Sequence, residues 1–167
     1  MQVTSWNRRG LGNPIKSKAI KDLMKMASSE ILLLQETKIE EEALLLLSKS
    51  NWNLNAGKAV SARGSSGGLA TLWSEDKFQL NRWFATQHWI FTDLYHYSSK
   101  ISLALFHLYV PINYSEKREC WKSLSEYIES ISPSNLVLAS DLNINLSPHE
   151  KKVGFAAKTI FKTRWRL

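Results

Sequence analysis

Cysteine is nearly absent from this sequence, and long apolar runs are absent altogether. The single cysteine, Cys120, excludes an internal disulfide and any multi-cysteine zinc site. No stretch reaches the roughly 18 apolar residues that a membrane-spanning helix needs. The opening residues 1–10 are polar and basic and lack the apolar segment of a signal peptide. We therefore expect a nuclear or cytoplasmic protein.

Positive charge is in excess but unevenly distributed. The net charge is +7, and residues 151–167 contain six lysines and arginines and no acidic residue. The opening 25 residues are also basic, and Arg8, Arg9 and Lys16 are candidates for contact with a nucleic-acid backbone. A solvated basic helix face has the same composition, so charge alone leaves both interpretations open.

The spacing of apolar residues predicts strands interspersed with helices. Strands are expected near residues 2–6, 30–35, 69–73, 78–84, 88–95, 101–110 and 136–139. Helices are expected near residues 15–27, 40–48 and 116–131. The segment Glu30–Gln35 contains the continuous apolar run Ile-Leu-Leu-Leu, which is typical of a strand buried on both faces. Together these features predict an α/β sandwich of stacked layers.

Polar side chains follow three of the predicted strands. Asn7 follows the first strand, Glu36 follows the second, and Asp141 and Asn143 follow the last. Carboxylates just beyond the C-terminal ends of buried strands lie at the edge where α/β proteins usually bind ligands. Their oxygen atoms suit Mg²⁺. Turns and helix caps use the same residue types, so spacing alone does not distinguish a metal site from local structure.

A series of short motifs occurs in one order along about 150 residues. They are Ser5-Trp-Asn7-x-Arg9-Gly10, Gln35-Glu36-Thr37-Lys38, Gly67-Gly68-Leu, Leu108-Tyr109-Val-Pro111, Ala139-Ser-Asp141-Leu-Asn143 and Glu150-Lys151-Lys-x-Gly154. Together they resemble the endonuclease/exonuclease/phosphatase superfamily, and most closely the apurinic-type endonuclease domains of plant non-LTR (LINE-type) retrotransposons. The resemblance implies a four-layered, DNase I-like α/β sandwich, Mg²⁺ or Mn²⁺ as cofactor, and DNA as partner.

The same resemblance implies a role for individual residues. Asn7 and Glu36 would serve the metal site, and Tyr109 would contact the scissile phosphate. Asp141 and Asn143 would lie beside the attacked phosphorus, with Asp141 placed to handle the nucleophilic water. These five residues form the predicted catalytic site.

The sequence departs from the family pattern after Asp141. The family has a Ser-Asp-His segment with an essential histidine, preceded by a further strand-end aspartate. Here no aspartate follows Asp141, and His149 is the last histidine. We therefore expect residues 1–154 to be a C-terminally truncated family domain, with incomplete layers, and residues 155–167 to be a basic tail outside the pattern.

This departure affects the expected activity. We expect little or no nuclease activity from this chain alone, because the family's catalytic histidine has no counterpart in it. Two alternatives stay open. One is a non-catalytic, retrotransposon-derived relic that binds nucleic acid weakly, and the other is a phosphatase or deadenylase of the same superfamily.

Overall fold

The computed structural model describes residues 1–7, 10–11, 14–61 and 67–142. Over these ranges the chain forms eight strands and three helices. The strands are β1 (Val3–Asn7), β2 (Ile31–Gln35), β3 (Ala56–Val60), β4 (Leu69–Trp73), β5 (Phe78–Ala85), β6 (Trp89–His96), β7 (Ile101–Tyr109) and β8 (Leu136–Asp141). The helices are α1 (Pro14–Ala27), α2 (Glu41–Trp52) and α3 (Tyr114–Ile131). Among the described helices, none has the length and apolar character needed to cross a bilayer.

The strands form two four-stranded sheets. The first sheet has the order β1-β2-β4-β3, and β1 and β2 are parallel. The second has the order β5-β6-β7-β8, and β7 and β8 are parallel. The apolar pattern does not predict β3, because its five residues include Gly57 and Lys58 and lack a regular alternation. It forms as an edge strand by antiparallel pairing with the buried strand β4.

The two sheets pack face to face, and helices cover both outer surfaces. Alternating residues of β2 illustrate the arrangement, because Ile31 and Leu33 face the second sheet while Leu32 and Leu34 face α1 and α2. On the other side, α3 packs on β6 and β7. Cys120 lies in that last layer, where burial raises the pKa of its thiol. The predicted four-layered α/β sandwich is thereby confirmed.

The two parallel pairs bring the C-terminal ends of four strands to one edge of the sandwich. In the first sheet Asn7 lies beside Gln35, and in the second Tyr109 lies beside Asp141. The backbone N–H of Val110 donates to the carbonyl of Asp141 at 3.0 Å, which extends the second pairing beyond the strand. Because β1 also contacts β8 across the sandwich, the ends of both pairs face each other.

Candidate active site

Four polar side chains from the two sheets meet at this shared edge. The amide nitrogen of Asn7 donates to Glu36 Oε1 at 3.4 Å and also to Asp141 Oδ2, a residue 134 positions further along the chain. The hydroxyl of Tyr109 donates to the same Glu36 oxygen at 3.2 Å. The structure therefore brings together Asn7, Glu36, Tyr109 and Asp141, all of which the sequence nominated.

Of the other site residues predicted from the sequence, the structure describes only Lys16. Asn143, Arg8 and Arg9 lie outside the described residues. Lys16 lies in α1, where its ammonium group donates to the carbonyl of Gly10 at 2.8 Å. The backbone N–H of Gly10 in turn donates to the carbonyl of Glu36 at 2.8 Å, so Lys16 is held beside the turn that carries this carboxylate.

The turn after β2 has an unusual backbone. Glu36 and Lys38 have φ values of 53° and 55°, in the left-handed region that non-glycine residues rarely adopt. The turn is held by backbone hydrogen bonds from Leu11 to the carbonyl of Thr37 at 3.1 Å and from Thr37 to the carbonyl of Gly68 at 3.3 Å. Such conformations persist where the surrounding structure requires them, and they cluster at functional sites. Here the conformation aims the carboxylate of Glu36 towards Asn7 and Tyr109.

The oxygen donors at this edge suit a hard divalent cation. Two carboxylates, Glu36 and Asp141, face a single side-chain amide, and Asn7 presents its nitrogen to both of them. Within the described ranges there is no cluster of three or more His, Cys, Asp or Glu side chains arranged for metal binding. A cation here would therefore have at most two carboxylate ligands from these residues. Mg²⁺ accepts such a site, since it fills its octahedron with water and substrate phosphate.

A polar cluster lies between the sheets beneath these residues, and we call its four members, Ser5, Gln35, Thr71 and His107, the inter-sheet cluster. Ser5 is half-buried and the other three are buried. The side-chain nitrogen of Gln35 donates to Ser5 Oγ at 2.9 Å and contacts His107 Nε2 at 2.5 Å. The other ring nitrogen of His107 lies 3.3 Å from Thr71 Oγ1. The sequence did not single out this cluster. Its signal was a glutamine closing the apolar run of β2 and a histidine among the apolar residues of β7.

The buried imidazole of His107 makes the stability of the fold depend on pH. Burial lowers the pKa of His107 from 6.5 to about 3, so the folded protein keeps this ring neutral. Below pH 6.5 the unfolded state binds a proton at His107 that the folded state does not bind. The stability that the neutral ring contributes is therefore present above pH 6.5 and is lost as the pH falls towards the folded-state pKa. His96 acts in the same direction, because burial lowers its pKa although the carboxylate of Glu30 opposes the shift.

We expect the free energy of unfolding to fall by about 1 kcal/mol through His107 between about pH 7.5 and about pH 5.5. Urea unfolding at both pH values measures the loss. The control is His107→Gln, whose neutral side chain does not titrate and should give a flatter dependence, with the contribution of His96 remaining. An equal pH dependence in both proteins would contradict the assignment.

Comparisons with solved structures agree with the observed fold. A mannosyl-6-phosphatase from Bacteroides thetaiotaomicron superposes with a TM-score of 0.67 at 13% identity, covering 86% of this chain and 66% of its own. An endonuclease/exonuclease/phosphatase from Bacteroides vulgatus gives 0.67 at 10% identity, with coverage of 86% and 66%. A humanized D. rerio TDP2 gives 0.62 at 14% identity, with coverage of 87% and 63%. The chain thus spans just under two thirds of the length of these structures.

Sequence comparison identifies the family. No curated protein sequence matches the chain. The family model described as the endonuclease/exonuclease/phosphatase family, by contrast, matches residues 4–153, a span that includes Asn7, Glu36, Tyr109 and Asp141. This match covers most of the 167 residues. The fold and the edge at which the polar side chains meet agree with this match. The chain therefore belongs to the endonuclease/exonuclease/phosphatase family.

Proposed function

We propose that this chain carries a Mg²⁺-dependent phosphodiesterase site of the DNA-endonuclease type, with Mn²⁺ as a possible substitute. The observation that supports it is the meeting of Asn7, Glu36, Tyr109 and Asp141 at one edge, since these side chains come from the C-terminal ends of four strands in two sheets. Members of the family commonly use divalent metal ions. The metal identity, the DNA substrate and the residue roles are part of the proposal.

Each of the four residues has a chemical role in this proposal. Glu36, together with Asn7 through its side-chain oxygen, would hold the cation, which when bound would polarise a phosphoryl oxygen and stabilise the leaving oxyanion. The hydroxyl of Tyr109, which donates to Glu36 Oε1 in the structure, would donate instead to a phosphate oxygen when substrate binds. Asp141 would orient the attacking water and accept its proton, and Asn143, which lies outside the described residues, would assist it.

The surroundings of the site favour a nucleic-acid substrate. Lys16 lies next to the turn of Glu36 and would add positive charge near the phosphate, together with Arg8 and Arg9. Shortly after Tyr109, the chain exposes Ile112 at 79% and Tyr114 at 82% of their surface. An exposed aromatic ring near a phosphate site offers a nucleobase a surface for stacking. The resemblance to plant LINE-type retrotransposon endonucleases supports the same substrate class.

The extent of the family domain is a further part of the proposal. We infer that residues 1–154 correspond to part of an endonuclease domain of the family and that residues 155–167 are a basic tail outside the family pattern. The chain spans just under two thirds of the family structures, and residues 142–167 contain no aspartate and no Ser-Asp-His segment, which supports this inference. General acid–base groups typically contribute about 10²–10⁴-fold to a rate. Cleavage by this chain should therefore be slower than cleavage by a family domain with the histidine by about that factor.

Of the three other functions that the sequence leaves open, two have supporting observations. A non-catalytic, retrotransposon-derived chain that binds nucleic acid weakly is supported by the missing Ser-Asp-His segment together with the basic residues 151–167. A phosphatase is supported by the likeness in fold to the mannosyl-6-phosphatase. A deadenylase of the same superfamily would use the same cation site on RNA.

A comparison of substrates separates these functions. The purified chain is incubated with supercoiled plasmid, mannose 6-phosphate or a polyadenylate oligonucleotide, each with Mg²⁺ and with EDTA. The proposal expects slow plasmid nicking that requires Mg²⁺ and no phosphate release from the sugar phosphate. The non-catalytic alternative would be favoured by DNA binding that does not depend on Mg²⁺ and weakens steeply as the salt concentration rises, with no nicking. Phosphate release from the sugar, or shortening of polyadenylate alone, would replace the endonuclease proposal.

A further inference from the structure

The inter-sheet cluster lies directly below the candidate active site. We propose that its hydrogen bonds position the catalytic side chains by fixing the offset between the two sheets. The effect that we expect on catalysis rests on the proposed function, whereas the effect that we expect on the structure of the site does not. Gln35, Thr71 and His107 are positioning residues in this proposal, since none of them reaches the edge where substrate would bind.

Chain connectivity links the cluster to the site. Ser5 lies two residues before Asn7 on β1, and His107 lies two residues before Tyr109 on β7. Two residues of a strand span about 7 Å and place their side chains on the same face. Gln35 immediately precedes Glu36 at the end of β2. A shift of Ser5, Gln35 or His107 is therefore passed to a site residue through a short stretch of strand.

The cluster also joins the sheets by a directional contact. Gln35 belongs to the first sheet and His107 to the second, and their side-chain nitrogens are 2.5 Å apart. Because the buried ring is neutral, Nε2 accepts from Gln35, and Nδ1–H is left to donate to Thr71 Oγ1. Apolar contacts between the same sheets tolerate small displacements, whereas hydrogen bonds restrict both distance and angle.

The candidate site depends on the same offset. Two of its hydrogen bonds cross between the sheets, one from Asn7 to Asp141 and one from Tyr109 to Glu36. A displacement of about 1 Å between the sheets would lengthen both bonds beyond the usual range. Stability alone does not require a polar cluster, because replacing all buried partners by apolar groups of similar shape is often neutral or stabilising. A positioning role accounts for polar residues at these buried places.

The triple variant Gln35→Met, Thr71→Val and His107→Leu tests the proposal. It replaces the three buried members together by apolar side chains of similar size and leaves only the half-buried Ser5, so the urea midpoint should stay the same or rise. We expect Mg²⁺ affinity, measured by titration calorimetry, to fall about 10-fold. The kcat for plasmid nicking should fall, and KM for DNA should change little. The control is Thr92→Val, because Thr92 is also fully buried but its hydroxyl has no hydrogen-bond partner within the described ranges.

Further variants keep the test decisive. If the triple variant does not fold, His107→Leu is compared with His107→Gln, which retains a donor and an acceptor and should restore most of the Mg²⁺ affinity. If the wild-type chain binds no Mg²⁺, the proposed function fails, and NMR tests the cluster separately. In that case the side-chain amide signals of Asn7 should shift in the triple variant but not in Thr92→Val. A well-folded triple variant with wild-type Mg²⁺ affinity, or with unshifted Asn7 signals, would overturn the positioning role.

Discussion

Replacing Glu36 by glutamine is expected to weaken Mg²⁺ binding by roughly 100-fold while leaving the fold intact. The substitution removes one negative charge from the proposed cation site but keeps the length and shape of the side chain. The remaining Oε1 atom can still accept from Asn7 and Tyr109, which donate to it at 3.4 Å and 3.2 Å. Calorimetric titration with Mg²⁺ measures the affinity, and circular dichroism checks the fold.

The matched control for this variant is Glu126→Gln. Glu126 is an exposed residue of α3, so its substitution changes the net charge by the same amount without touching the site. We expect the control to bind Mg²⁺ as the wild-type chain does. Equal Mg²⁺ affinity in the two variants would show that Glu36 does not hold the cation. Any plasmid nicking that survives in Glu36→Gln would then come from another site or from a contaminating nuclease.

The main layers of this fold can be predicted from local sequence. The run Ile31–Gln35 predicts a strand buried on both faces, and each of its five residues is buried. The meeting of Asn7, Glu36 and Asp141 also follows from sequence, because all three lie where apolar strands end. Strand ends in an α/β protein converge at one edge whatever their separation along the chain.

Other features depend on how the sheets are stacked, which local sequence does not encode. Edge strand β3 has no apolar alternation, and only its pairing with β4 makes it a strand. Gln35 and His107 are 72 residues apart, and their contact requires a particular offset between two sheets. Hydrophobic periodicity predicts which face of a strand is buried but not which residue of the opposite sheet it meets. The inter-sheet cluster is therefore visible only in the structure.

Substitution of Gly68 by alanine is expected to have the largest effect on stability near the site. Gly68 has a φ of +90°, and a Cβ atom there would lie 2.4 Å from Thr37 Oγ1 and 3.2 Å from the backbone nitrogen of Lys38. The backbone conformation costs an alanine about 1–2 kcal/mol, and overpacking typically adds about 1–3 kcal/mol. We expect the free energy of unfolding to fall by roughly 2–5 kcal/mol in urea titrations.

The neighbouring glycine separates the two causes of this loss. Gly67 has a φ of +87°, but a Cβ atom there would meet nothing within 4 Å. Gly67→Ala should therefore lose only the backbone contribution, about 1–2 kcal/mol. Adding Thr37→Ala to Gly68→Ala should recover part of the loss, because it removes the closest atom, and the hydroxyl of Thr37 has no hydrogen-bond partner in the part of the chain described. Equal losses in the two glycine variants would mean that the close approach of Gly68 to the turn of Glu36 does not constrain it.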